Sequence, residues 1–430
     1  MIKKVSKIKN LKGEITIPAD KSVSHRAIMF SSIAKGKSLI TNFSSGVDCW
    51  STLNLFKNLG VEINIIDKKT IEVFSKGKLM CSNLPLDAGN SGTTMRLVSG
   101  ILAGQNFDSI LIGDASLTKR PMKRIIEPLT LMGAQIEAID NHSPLKIKGT
   151  QLHGIIYNSK LSSAQVKSCV LLAGLNERTL GKTIFIEPNL SRNHTELMLK
   201  YLGASIEVND TKTTIEPSEL VAKDIEIVGD ISSAAFFIVA GLIVEGSDFV
   251  IKNVGLNPTR TGIIDIVKRM NGNIELFNLR ELAGELIGDI RVQYTDSFKA
   301  CEILGEDIPR LIDELPIIAV LASQADGETI VRDAGDLRNK EADRIFCLVK
   351  ELRKIGIDIE ELSDGFIVRG MGKSNLKGGA DLEVYHDHRL AMSFFVAGLL
   401  CEEEIAINEF EWTNISFPEF EKLFIDLVSM

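Results

Sequence analysis

The chain has 430 residues, 44% of them hydrophobic, and a formal net charge of −8. That length suits two domains with sizeable cores, and the acidic balance argues against nucleic acid as the main partner. Apolar runs such as Phe236-Phe237-Ile238-Val239-Ala240 are far too short to cross a bilayer, so no membrane span is expected. The start, Met1-Ile2-Lys3-Lys4, is basic but leads into no apolar signal core, which points to the cytoplasm. The cysteines at 49, 81, 169, 301, 347 and 401 are scattered without a C-x-x-C pair, so neither a zinc site nor a disulfide framework is expected.

In chain order, the first predicted helix opens at Asp20-Lys21-Ser22-Val23-Ser24-His25-Arg26 and closes at Ser32-Ile33-Ala34-Lys35-Gly36. A second closes at Asn58-Leu59-Gly60 and runs into an alternating strand. The same pair then recurs. First helices end at Ile101-Leu102-Ala103-Gly104, Leu171-Leu172-Ala173-Gly174, Ile238-Val239-Ala240-Gly241, Val320-Leu321-Ala322-Ser323 and Phe395-Val396-Ala397-Gly398. Second helices end at Leu131-Met132-Gly133, Tyr201-Leu202-Gly203, Met270-Asn271-Gly272 and Lys354-Ile355-Gly356, with a terminal helix after Phe417-Pro418. The glycines suit the left-handed position that closes a helix. Two interleaved patterns imply six α/β units of roughly 70 residues, each with two helices and several short strands.

The residues at the helix starts carry the chemistry. Gly89-Asn90-Ser91-Gly92-Thr93-Thr94-Met95-Arg96 feeds directly into the apolar run from Leu97 to Ala103. Such a start leaves backbone N–H groups free at the positive pole, which suits a phosphate or carboxylate; the plain alternative is a tight turn with a good cap. Other starts are Ser162-Ser163-Ala164-Gln165, Asp313-Glu314 and His386-Asp387-His388-Arg389 among first helices. Among second helices they are Lys119-Arg120-Pro121, Ser191-Arg192-Asn193-His194 and Lys340-Glu341-Ala342-Asp343-Arg344. The fourth unit opens with Gly229-Asp230-Ile231-Ser232-Ser233, an ordinary cap with a structural role. Lys340 and Arg344 stand four apart, where like charges on a helix repel; a bound anion would relieve them, or Glu341 could pair with Arg344 on a solvated face. Lys21, Arg26, Arg120, Arg192, Lys340, Arg344 and Arg389 thus gather at helix starts in an acidic chain, as two phosphates of roughly −2 charge each would require. His386 and His388 lack a third clustered ligand, so no metal is expected; His386 suits capping and packing, and Trp50 and Trp412 suit the core.

These motifs, in order and with matching gaps across essentially the whole chain, resemble the 5-enolpyruvylshikimate-3-phosphate synthase family. The resemblance implies carboxyvinyl transfer from phosphoenolpyruvate to the 5-hydroxyl of shikimate 3-phosphate, with no cofactor and no metal, by a monomer. It implies an α/β fold of two domains, each of three β-α-β-α-β-β repeat units: residues 1–19 with 229–430, and an inserted domain of residues 20–228, with the active site in the cleft between them. By motif position, Lys21, Ser22, Arg26, Ser163, Ala164, Gln165, Arg192, Asp313 and Lys340 would hold shikimate 3-phosphate. Lys21, Gly92, Arg120, Gln165, Glu341, Arg344, His388 and Arg389 would surround phosphoenolpyruvate. Asp313, Glu341 and Lys21 would be catalytic, and the sequence leaves open which carboxylate serves which proton transfer. Ala164, Leu97 and Ile415 replace a serine, a proline and a lysine of some members, which resembles the family's second, bacterial class. Two alternatives stand beside this reading. One is a UDP-N-acetylglucosamine enolpyruvyl transferase, whose reactive cysteine would fall at Ala115. The other is a repeat scaffold without chemistry.

Overall fold

The computed structural model describes residues 1–428, and these fall into two compact units. One, called unit 1, comprises Met1–Pro18, Gly229–Glu281 and the chain from Leu286 onward. Unit 2 comprises Ala19–Val228 with Leu282–Glu285.

The helices of unit 2 are α1 (Lys21–Ile33), α2 (Val47–Asn58), α3 (Gly92–Ala103), α4 (Lys123–Leu131), α5 (Ala164–Leu175) and α6 (His194–Tyr201). Those of unit 1 are α7 (Ile231–Ile243), α8 (Gly262–Arg269), the short α9 (Asp307–Leu311), α10 (Leu315–Ala322), α11 (Arg344–Lys354), α12 (His388–Gly398) and α13 (Phe420–Val428). The alternation expected from the sequence is present in all six repeats, with α9 as an addition. First and second helices differ in burial for a visible reason. Every residue of α7 and α10 is buried, matching their unbroken apolar sequences, and α7, α10 and α12 pack pairwise as the centre of the unit 1 core. By contrast α8 buries Ile263, Ile264, Ile266 and Val267 and exposes its charged side, as an outer amphipathic helix should.

The first five repeats build their sheets to one plan, and the sixth divides its strands between two smaller sheets. In these five the strand after the first helix is parallel along one edge, to one strand or two short ones, and antiparallel along the other. In the second repeat Ser109–Ile112 pairs in parallel with Leu86–Asp87 and antiparallel with His142–Lys148, which in turn pairs antiparallel with Gln135–Ile139. The third and fifth repeats repeat this order through Thr183–Ile186 and Ala325–Val331. Alternating burial along Ile71–Lys76 is that of a strand with one face on the core. No helix among the described residues is long and apolar enough to cross a membrane.

Left-handed closure of the second helices is seen at Gly60, Gly133, Gly203 and Gly356, with φ of +80°, +93°, +95° and +93°. The fourth repeat departs from the expected pattern. There Asn271, at φ +66°, takes the left-handed position ahead of Gly272; asparagine tolerates that region, and a Cβ on Gly272 would lie 2.5 Å from Val267.

Candidate active site

In unit 2, three first helices begin with the residues singled out above. Asp20 caps α1, its Oδ1 accepting from Val23 N at 2.8 Å, so Lys21 and Ser22 occupy the first two helical positions. The Lys21 ammonium pairs with Asp48, a buried residue in the first turn of α2. Arg26, one turn further, is 3% exposed. Its guanidinium donates to Thr195 Oγ1 (2.7 Å), Ser168 Oγ (2.9 Å) and the Ser22 carbonyl (3.0 Å), so it joins α1 to α5 and α6. His25 lies behind this surface with Nδ1 2.7 Å from Thr52 Oγ1. Burial, with the Lys21 charge adding, pushes its imidazole down to about 3.

Ser91 caps α3, accepting from Thr94 N at 3.1 Å, and Gly92 is the first helical residue. The space above Gly92 is bounded by two cations. A Cβ there would lie 2.8 Å from Arg96 Nη1 and 3.6 Å from Arg120 Nη1. Arg96 donates to Gln165 Oε1 (2.7 Å), and Gln165 in turn donates to Thr93 Oγ1 (3.0 Å), so α5 and α3 share their starts. Arg120 donates to Asn90 Oδ1 at 2.9 Å. It does not begin a helix as expected: a 3-10 turn at Leu117–Lys119 precedes it and α4 starts at Lys123, because Asp114 Oδ1 accepts from Ser116 N and Leu117 N and turns the chain early. Two guanidinium groups over a helix N-terminus are an arrangement chemically suited to an anion.

Ser163 and Ala164 are the cap and first residue of α5, and the Ser163 side chain makes no cap bond. Arg192 follows Ser191, whose N–H donates to Glu187 Oε1 (3.0 Å) and whose carbonyl accepts from Lys167 Nζ (3.3 Å). Lys167 pairs with Glu187 (2.6 Å) and Glu196 (2.8 Å), all three buried, and this triad fixes the backbone that presents Arg192.

In unit 1 the remaining residues meet around one guanidinium. Arg344, the first residue of α11 and 1% exposed, donates from Nε to Asp387 Oδ2 (2.6 Å), from Nη2 to Glu341 Oε2 (2.6 Å) and from Nη1 to Asp313 Oδ1 (3.3 Å). Burial alone would lower its pKa; the charges of Asp387, Glu341 and Asp313 outweigh that and raise it. Asp313 also receives Lys340 Nζ at 3.3 Å, and Arg389 Nη2 stands 4.0 Å from its other oxygen. Asp387 caps α12, accepting from Arg389 N at 2.8 Å, so the cap and the Arg344 pair use one carboxylate. His388 begins α12 and is buried.

Two expectations about this group change. Lys340 is not on a helix with Arg344: it ends the 3-10 turn at Gly335–Asn339, and the helix begins only at Arg344. Their like charges are met by Asp313, not held apart on a helical face. Glu341 does pair with Arg344, but in a buried cluster and not on a solvated face. The fourth repeat also reaches this cluster: Asp230 caps α7 and accepts from Arg260 (3.0 Å), Ser232 bonds Glu314, and Glu314 Oε1 is 3.7 Å from Arg389. Trp50 and Trp412 are half-buried at the edge of the core, Trp50 against Phe43 at 5.8 Å and Trp412 against the unit 1 core and His386, the latter at 4.7 Å.

The predicted residues therefore form two groups, Lys21, Ser22, Arg26, Gly92, Arg120, Ser163, Ala164, Gln165 and Arg192 in unit 2, and Asp313, Lys340, Glu341, Arg344, His388 and Arg389 in unit 1. Sequence reasoning passed over Asp48 and Glu314 as partners, since an acidic residue in a first helical turn reads as an ordinary cap or dipole contact. Among the described residues, no group of three or more His, Cys, Asp or Glu could hold a metal ion.

Residues 5–424 match the family described as EPSP synthase (3-phosphoshikimate 1-carboxyvinyltransferase). A 3-phosphoshikimate 1-carboxyvinyltransferase of Thermodesulfovibrio yellowstonii is 49% identical over 97% of this chain and 98% of its own. One from Thermoanaerobacter sp. is 50% identical over 98% of both. Among solved structures, an EPSP synthase from Acinetobacter baumannii superposes with a TM-score of 0.88 at 42% identity, covering 99% of this chain and 98% of that one. The enolpyruvyl transferase NikO of Streptomyces tendae, at 16% identity, shares the fold with a TM-score of 0.81 over 99% of this chain and 97% of its own. The chain belongs to the EPSP synthase family, the 3-phosphoshikimate 1-carboxyvinyltransferases.

Proposed function

We propose that the two residue groups serve the family's reaction, the transfer of the carboxyvinyl group of phosphoenolpyruvate to the 5-hydroxyl of shikimate 3-phosphate with release of phosphate. The observation that carries the reading is the Arg344 guanidinium, which holds Asp313 and Glu341 on one cation. Two carboxylates fixed beside each other and flanked by Lys340 and Arg389 supply an acid and a base within an anion-binding surface.

In the addition step the 5-hydroxyl oxygen bonds to C2 of phosphoenolpyruvate while its methylene carbon takes a proton. Asp313 accepts the hydroxyl proton, and Glu341 with Lys21 delivers the proton to the methylene. The tetrahedral adduct then expels phosphate by breaking its C2–O bond, and loss of a methyl proton restores the double bond. Glu341, Arg344, His388 and Arg389, with Gly92, Arg120, Gln165 and Lys21, receive phosphoenolpyruvate. Lys21, Ser22, Arg26, Ser163, Ala164, Gln165 and Arg192, with Asp313 and Lys340, hold shikimate 3-phosphate. The reading includes a cytoplasmic monomer that needs no cofactor.

A phosphate-release assay with phosphoenolpyruvate tests it directly. Turnover is expected with shikimate 3-phosphate as acceptor and none with UDP-N-acetylglucosamine. Release with the sugar nucleotide instead would reject the acceptor assignment, and tight shikimate 3-phosphate binding without turnover would mark a scaffold.

A further inference from the structure

The chain just before α12 adopts an unusual backbone. Tyr385 and His386 are consecutive non-glycine residues with φ of +53° and +61°. Left-handed backbone is unfavourable for an ordinary residue, and two in succession persist only where surrounding contacts hold them. They lead straight into Asp387, His388 and Arg389, so the path of this turn sets where those side chains begin.

One buried carboxylate holds the turn. Glu351 has no exposed surface and lies on α11, seven residues after Arg344. Seven residues are nearly two helical turns, so both side chains leave the same face of the helix. Glu351 Oε1 accepts from the Tyr385 hydroxyl at 2.7 Å, and Oε2 accepts from Glu383 N at 3.0 Å. Lys354 Nζ, 2.6 Å from Oε2, balances the charge and also donates to the Asp381 carbonyl at 3.0 Å. Arg344 grips Asp387 at the far end of the same segment. The helix that carries Arg344 therefore fastens the turn at two points, two residues apart along it.

We propose that Glu351, acting through the Tyr385 hydroxyl, is a positioning residue that holds the left-handed turn and so sets His388 and Arg389 for the phosphoenolpyruvate anion. The inference rests on the reading that Arg389 contacts that anion. Among the described residues, the hydrogen bonds of Glu351 and the Tyr385 hydroxyl go to this turn and to Lys354, not to the groups assigned to shikimate 3-phosphate. Loosening the turn acts first on the aim of His388 and Arg389, and reaches Asp313 only through Arg389.

The test is steady-state kinetics of the full chain, varying each substrate in turn, for Tyr385→Phe, Glu351→Gln and Arg389→Ala. Tyr385→Phe removes one oxygen and keeps the ring, so it guards against a Glu351→Gln chain that fails to fold. Misplacing an anion contact typically costs about 10- to 100-fold, so both variants are expected to raise KM for phosphoenolpyruvate by about that factor. KM for shikimate 3-phosphate and kcat at saturation are expected to change several-fold less than KM for phosphoenolpyruvate. An unchanged KM for phosphoenolpyruvate in Tyr385→Phe, with Arg389→Ala raising it, overturns the positioning role alone. An equal fall in all parameters in Tyr385→Phe also overturns it, since that is general structural damage. If Arg389→Ala leaves KM for phosphoenolpyruvate unchanged, the underlying assignment of the anion fails and the positioning role falls with it.

Discussion

Asp313 illustrates how much one side chain is asked to do. It meets Lys340 and Arg344 at 3.3 Å each and Arg389 at 4.0 Å, so arriving anions compete for the same cations. Asp313→Ala or Glu341→Ala is expected to lower turnover by about 10²–10⁴ with the fold intact. Near-parental rates in either, measured by phosphate release, would remove that residue from the proton transfers. His25 makes a different prediction. Its folded pKa of about 3 lies below the ordinary 6.5, so the stability gained from a neutral imidazole is full above pH 6.5. It is lost as pH falls from there towards 3, because the unfolded chain then binds a proton that the folded chain refuses. Asparagine can keep the bond to Thr52 without titrating. Between pH 7 and 5 the parent is expected to lose roughly 1–2 kcal/mol relative to His25→Asn in urea unfolding. A gap between the two that does not change with pH would refute the burial argument.

At the scale of elements, the first helices work as a bundle whose starts must meet. In unit 2 this depends on one close approach: a Cβ on Gly100 of α3 would lie 2.1 Å from the Cys169 carbonyl oxygen of α5. That atom is backbone, so the helices themselves would have to part. Gly100→Ala is expected to destabilise the protein by about 1–3 kcal/mol or more in chemical denaturation. It should also disturb the Arg96–Gln165 bond that joins the two starts. A neutral effect would mean that the helices slide freely. Gly92 differs in kind, because its nearest neighbour is the tip of the Arg96 side chain, which can move. Under the proposed function the constraint there is room for the anion, since a side chain at Gly92 would crowd Arg96 and Arg120.

For the whole molecule, the sheets explain how the chain divides. In unit 2 the first repeat lacks a parallel strand before it in sequence and takes Leu220–Val221 and Ile225–Glu226, which lie parallel to Ala34–Thr41. In unit 1 the fourth repeat takes Lys12–Thr16, parallel to Asp248–Gly255, and Lys3–Val5 completes the sixth repeat against Ile405–Ile407. Each unit thus closes its own ladders, and no strand of residues 19–228 needs a partner outside that range. A fragment of residues 19–228 is therefore expected to unfold in one cooperative thermal transition, with near-UV circular dichroism. A fragment with helical far-UV signal but no fixed tertiary signal would show that strand closure is not sufficient.

The sequence by itself determined the six repeats, the alternation of two kinds of helix, and the helix openings at Asp20-Lys21, in the Gly89–Arg96 segment, at Ser163-Ala164, near Asp313-Glu314 and at Asp387-His388. Those features depend on periodicity, capping and backbone freedom, which act over a few residues. It misjudged what sits between such signals: where α4 and α11 begin, and which of Asn271 and Gly272 turns left-handed. Only the tertiary structure decided the partners. The Lys21–Asp48 pair, the meeting of Arg96 and Arg120 over Gly92, the bonds from Arg344 to Asp313 and Asp387 and the Glu351–Tyr385 clasp join side chains 24 to 43 positions apart; Gly92 with Arg96 and Glu341 with Arg344 are the local exceptions. No local pattern encodes such pairings, because burial and strand closure bring the groups together only once the repeats have packed.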